Sequence, residues 1–206
     1  AKIEAFMKRQ SGFVAGTSIE YNPSYLVTGQ ENQQLATGYH IGQRFHSAEA
    51  SRVADGRIVH LGHLVKADGR WRLFIFGGKD DPRNGSTESN KLVDFLANDA
   101  NSPVVKYTPE GADVDSVIDT YAVFQQQDLE MHELPKFLWP AKGKYGLNDY
   151  EKVFQSIESN DLFDLRGINR DQGCMVIVRP DQHIANILPL GAHEELSQFF
   201  AEFMVS

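Results

Sequence analysis

Seven histidines and one cysteine are the side chains of this 206-residue chain best suited to hold a metal, carry a proton or attack a substrate. His40, His46, His60, His63, His132, His183 and His193 form neither an HExxH pair nor a cysteine-histidine set of the kind that binds zinc. His60 and His63 stand three apart, but in a stretch that reads as strand and loop, so helical facing does not bring the two imidazoles together; an ordinary structural role is the better reading. Cys174 lies inside the apolar run 173–178. Burial there keeps a thiol protonated, so Cys174 reads as packing rather than as the nucleophile of a peroxidase or transferase. Ser86 to Glu88 stand where a helix begins and capping accounts for them; no GxSxG elbow is present. Neither GxGxxG nor GxxxxGK followed by Ser or Thr occurs, so the glycine-lined cradles that bring backbone amides against phosphate are missing from the sequence. Arg179-Pro180-Asp181 could hold an anion, but a charged hairpin turn explains it more simply. No catalytic, cofactor-binding or metal residue is assigned.

The composition narrows the field further. With 41% hydrophobic, 11% aromatic and 23% charged residues, the chain can bury a core and is expected to fold. Twenty Lys and Arg against 28 Asp and Glu leave a net charge of −8, which repels phosphate backbones and anionic lipid, so nucleic-acid partners are disfavoured. A single cysteine permits neither an internal disulfide nor a CxxC pair and points to a reducing, cytoplasmic compartment. No apolar run is long enough for a membrane span, and the charged opening AKIEAFMKRQ does not serve as a signal-peptide core. Ile3, Phe6 and Met7 keep helical spacing with no cap ahead of them, which reads as the middle of a helix and hence a piece of something longer; the alternative is an initiator methionine removed before Ala1.

The elements that must position these side chains follow from periodicity and turn residues. Residues 13–27 are irregular, and 28–37 (TGQENQQLAT) read as an exposed loop. Asp55-Gly56 predicts a hairpin between Arg52-Val53 and Ile58-Val59-His60-Leu61. Trp71-Arg72-Leu73-Phe74-Ile75-Phe76, closed by Gly77-Gly78, predicts a strand buried on both faces, followed by a helix capped at Ser86 or Thr87 and running to Asn98. Residues 116–124 predict a second strand, parallel to the first across that helix. Residues 125–147 read as a long surface connection, and Asn148 or Asp149 as the cap of a short helix carrying Tyr150, Val153, Phe154 and Ile157. Residues 173–178 and 183–188 form an antiparallel hairpin around Arg179-Pro180-Asp181-Gln182, and Leu196, Phe199, Phe200 and Phe203 lie along one stripe of a closing helix. The fold class is therefore α/β: a thioredoxin-like sheet sandwiched between helices, preceded by an N-terminal extension with a helix, loops and short β-hairpins. In such a fold a redox dithiol would follow the first central strand. Here Gly77-Gly78-Lys79-Asp80-Asp81-Pro82 stand at that place with no sulfur, so dithiol exchange is excluded there.

The segments Gly16-Thr17-Ser18-Ile19-Glu20-Tyr21-Asn22-Pro23-Ser24, Gly42-Gln43-Arg44, Trp71–Phe76 and, above all, Val176-Ile177-Val178-Arg179-Pro180-Asp181-Gln182-His183-Ile184-Ala185 resemble the C-terminal portion of the phenol 2-monooxygenases, FAD-dependent aromatic-ring hydroxylases. The resemblance runs over nearly the whole chain, with Asp181-Gln182 where relatives commonly have Asp-Gly. It implies a thioredoxin-like domain without a dithiol over 38–206 and, over 1–37, the tail of a preceding flavin domain with its linker. It implies further that FAD and NADPH serve the intact enzyme, which inserts oxygen ortho to a phenol hydroxyl in aromatic catabolism, while this segment alone is inactive and carries no cofactor. Its expected partners are the flavin and substrate domains of the parent chain and a second subunit in a homodimer, with no nucleic acid or membrane. The other reading the residues permit is a free-standing thioredoxin-like module that binds a protein through the surface where the dithiol is absent.

Overall fold

Asp55-Gly56 makes the tight turn its composition predicts. Gly56 takes a φ of 68°, which costs glycine little, and β1 (Glu49–Arg52) returns as β2 (Ile58–His60) in antiparallel register. These coordinates are a computed structural model and describe residues 19–205. The helix expected at Ile3 to Met7 lies outside the described residues.

Every residue of β3 (Trp71–Phe76) is buried, as a continuous apolar run requires. Helix α1 (Glu88–Asn98) begins where the Thr87 hydroxyl accepts the Asn90 amide at 3.2 Å. A short helix that the sequence reading passed over, α2 (Pro103–Tyr107), starts on Ser102 with proline in its first turn, where the missing N–H is of no consequence. β4 (Ile118–Phe124) then lies parallel to β3. The connection after it holds a small separate ladder, β5 (Ala141–Lys142) with β6 (Leu147–Asn148). It leads to β7 (Val153–Gln155), the one-turn helix α3 (Leu162–Leu165), the hairpin β8 (Cys174–Val178) and β9 (Ile184–Leu188), and α4 (His193–Ala201).

Among the described residues the main sheet has seven strands in the order β2-β1-β7-β4-β3-β8-β9, with β7, β4 and β3 parallel and the remaining pairs antiparallel. Its centre, strand, helix, parallel strand, hairpin and closing helix, is the thioredoxin-like arrangement. Alternate side chains of the central strands fill two cores. Trp71, Leu73, Ile75 and Ile177 pack under α1, α2 and α4, against Leu92, Leu96, Val104 and Phe200. Phe74, Phe76, Val176 and Val178 face the other way, toward Tyr39, Phe45, Leu61 and Phe163. Along β9 the sheet edge is closed by the segment before β1: the Gly42 amide donates to Ile184 at 2.8 Å, Ile184 to Gln43 at 2.9 Å and Phe45 to Gln182 at 2.8 Å.

Two expectations are corrected. The helix predicted from Asn148 is instead strand β7, parallel to β4. Val153 is buried in one core and Phe154 in the other, so adjacent side chains point to opposite faces, which a strand does and a helix does not. Tyr150, Val153, Phe154 and Ile157 match a helical period only because the window is short; a free edge beside β4 overrides it. Residues 28–37 are less exposed than their polarity suggests, since Leu35 and Ala36 are buried. One of their glutamines serves the backbone: Gln33 Nε2 donates to the carbonyls of Ala36 and Tyr39, and its Oε1 accepts the Ile41 amide at 3.0 Å.

Candidate functional site

At the C-terminal end of β3, the place where this fold would carry a dithiol opens on two glycines packed too tightly to take a side chain. A Cβ on Gly77 would lie 2.6 Å from the Phe124 ring, and one on Gly78 would lie 2.7 Å from the Asp171 carbonyl oxygen. Gln125 Nε2 donates to the Gly77 carbonyl at 3.1 Å and Gln126 Nε2 to that of Lys79 at 2.9 Å. Asp81 accepts the Arg83 amide at 2.9 Å and pairs with its guanidinium at 2.6 Å. The adjoining cleft of about 310 Å³ is rimmed by Asp80, Glu88 and Asp171. The loop is pinned by these bonds and carries no sulfur.

The opposite end of the sheet holds a feature that sequence reasoning missed. Arg72 on β3 and Asp119 on β4 are fully buried, and around them gather Asp68, Arg70, Asp115, Lys142, Asp149 and Lys152. Asp119 meets Lys152 Nζ directly, Arg70 at 3.1 Å and Arg72 Nε at 3.4 Å, and accepts the Tyr121 hydroxyl at 2.9 Å. Asp115 binds Lys142 at 2.6 Å and Lys152 at 2.7 Å; Asp68 binds Arg72 at 2.7 Å and Arg70 at 2.8 Å. Burial on its own would raise the carboxyls of Asp115 and Asp68; the lysines beside the first and the arginines beside the second instead hold both below the usual carboxylate range. Burial, reinforced by the Asp119 charge, pushes the Tyr121 phenol well above its ordinary value. Acids and bases balance in number, so the cluster neutralises itself rather than presenting a charge to a ligand. The signal was an Arg inside a strand that reads as buried on both faces, a position where a charge survives only if paired, with an Asp inside the strand expected to lie parallel to it.

Cys174 is fully buried, and burial pushes its thiol far up. Alkylation by iodoacetamide is therefore expected to be undetectable in the folded chain and rapid once urea unfolds it; fast labelling in buffer would reverse this assignment. His60 and His63 come within 5.4 Å ring to ring, but His60 Nε2 faces Glu49 at 3.3 Å, and among the described residues no three His, Cys, Asp or Glu side chains gather as a metal set. Arg179 is closed by its own turn, pairing with Asp181 at 2.5 Å beneath the Tyr21 ring at 4.5 Å, which supports the turn reading over anion binding. Gln182, at a φ of 72°, takes the position that favours glycine in this turn and is held by Nε2 donating to Val65 at 2.7 Å. Thr87 caps α1, with Glu88 in its first turn. Among the described residues no helix is long and apolar enough to cross a membrane.

Residues 19–206 match the family model described as the phenol hydroxylase C-terminal dimerisation domain. The 3-hydroxybenzoate 4-monooxygenase of Comamonas testosteroni is 44% identical over 98% of this chain, and an FAD-dependent monooxygenase of Aspergillus terreus is 34% identical over 98%. The chain spans about a third of the length of these curated relatives, 33% and 34%. A thioredoxin-like protein from Bacteroides caccae superposes on 78% of this chain and 49% of its own with a TM-score of 0.49 at 8% identity.

Proposed function

Because the chain belongs to the family of phenol hydroxylase C-terminal dimerisation domains, we propose that it is the non-catalytic pairing and packing domain of a flavin-dependent aromatic hydroxylase. The observation that carries this reading is a sulfur-free loop, begun by two tightly packed glycines, at the end of the sheet where this fold would carry its dithiol, with the lone thiol sealed in the core. The two relatives, each about three times the length of the match, support a C-terminal domain over a free-standing module. Residues 1–37 would carry the connection to the preceding flavin domain, their second half already anchored on the sheet through Val27 and Leu35.

The parent enzyme would use FAD and NADPH held by residues outside this chain, in a reducing cytoplasm. Position 4 of a 3-hydroxybenzoate is adjacent to the ring hydroxyl, which supports ortho-hydroxylation of a phenol by the parent. For this segment the role is mechanical: a rigid sheet, locked at one end by paired charges, that holds two subunits or two domains in fixed relation. Titrating the chain with FAD is expected to leave the flavin visible spectrum unchanged and to produce no phenol-dependent NADPH oxidation. Stoichiometric flavin binding or turnover would refute the reading.

A further inference from the structure

We infer that the outer edge of β2 is the two-fold contact of the dimer, with Ile58, Val59 and His60 pairing antiparallel to the same residues of a second copy; this rests on the pairing role proposed above. The ladder between β1 and β2 determines what that edge offers. Arg52 donates to the Arg57 carbonyl at 2.9 Å and Leu61 to that of Ala48 at 2.9 Å, and the register pairs Ala50 with Val59 between them. In an antiparallel ladder hydrogen-bonded pairs alternate with unbonded ones, so Val59 turns its amide and carbonyl toward β1 while those of Ile58 and His60 point away from the sheet. Among the described residues no strand receives them. The other edge of the sheet, β9, is covered by residues 28–45, which among the described residues leaves β2 as the open edge.

The chemistry of this edge suits a second copy. Ile58 is 57% exposed, and the strand carries none of the lysines, prolines or bulges that keep edges from pairing. An antiparallel pair about a two-fold axis is self-complementary. With the axis at Val59, Ile58 exchanges hydrogen bonds with His60 of the partner subunit, twice over. Three residues bury far less than the roughly 1,600 Å² of a standard interface, so the strands set the axis and neighbouring surface completes the contact. A cleft joins Ala54 and Asp55 of the β1–β2 turn to Asn148 and Tyr150, and in the β5–β6 hairpin Tyr145 and Leu147 are 77% and 70% exposed.

Two substitutions test this by sedimentation velocity on the 206-residue chain. Ile58→Pro removes an outward amide that no described strand uses and should leave the fold intact, as proline is tolerated at such edge positions. Losing that bond on both sides of the axis should raise the dimer dissociation constant at least about tenfold at unchanged far-UV circular dichroism. The two Val59 Cα atoms would stand about 4.5 Å apart as an unbonded pair, within disulfide reach. V59C oxidised by dissolved oxygen with copper phenanthroline should cross-link into a covalent dimer, two thiols giving one disulfide, while V105C on the distant α2 should not. A wild-type dimer with V59C uncrosslinked and Ile58→Pro as tight as wild type overturns this surface and leaves the pairing role standing. A wild type that stays monomeric at high micromolar concentration overturns the pairing role itself.

Discussion

Asp119→Asn is expected to cost about 3–5 kcal/mol of stability, the range found when one partner of a buried ion pair is removed. The side chain keeps its volume, but its charge is withdrawn from Lys152, Arg70 and Arg72, and both Lys152 and Arg72 are sealed from water. In a domain of this size each kcal/mol moves the melting temperature by roughly 2–4 °C, so thermal and urea unfolding should both register the change. Asp149→Asn, at the partly exposed rim of the same cluster, should cost no more than about 1 kcal/mol. Adding Lys152→Met to Asp119→Asn should recover part of the loss, because it removes one of the stranded cations. Equal effects at Asp119 and Asp149 would show that the cluster does not act as a buried unit. The pH dependence has a definite sign. Asp115 and Asp68 bind protons less readily folded than unfolded, so their stabilisation is complete above the ordinary carboxylate pKa near 4 and is lost as pH falls from there through their depressed folded values.

Phe200→Ala should cost about 3–5 kcal/mol, the usual penalty for emptying a buried aromatic site. The Phe200 ring is fully buried, with its centroid 5.4 Å from Trp71, 5.2 Å from Phe199 and 5.8 Å from Phe203. This aromatic group fastens α4 to the start of β3, and truncation leaves a void that neighbours held by backbone on both sides cannot fill. Guanidinium unfolding followed by tryptophan fluorescence, to which Trp71 and Trp139 both contribute, measures the loss. Phe203→Ala, at a partly buried position of the same group, should cost less. A loss below about 1.5 kcal/mol for Phe200→Ala would mean that α4 is held by something else.

These two sites differ in how far they could be seen in advance. Phe199, Phe200 and Phe203 were legible because a helix repeats every 3.6 residues and its apolar stripe must meet a sheet. The strand at 71–76, the capped helix after it, the parallel strand at 118–124 and the hairpin around Arg179-Pro180-Asp181 were legible for the same kind of reason: period, burial and turn chemistry are local. The ion cluster was not. Arg72 and Asp119 meet because β3 and β4 are paired in parallel register, and Lys142 and Lys152 arrive from a connection whose course no local pattern states.

By itself the sequence determined the class of fold, the missing dithiol, the burial of the lone cysteine and the likeness to one family of hydroxylase domains. Tertiary structure alone decided that Val153–Gln155 is a strand, that Leu35 belongs to a core and that eight charges neutralise one another at the end of the sheet. Propensity and periodicity act between residues close along the chain, whereas a strand's neighbour and a buried charge's counterion are chosen among segments brought together only by the collapse of the whole.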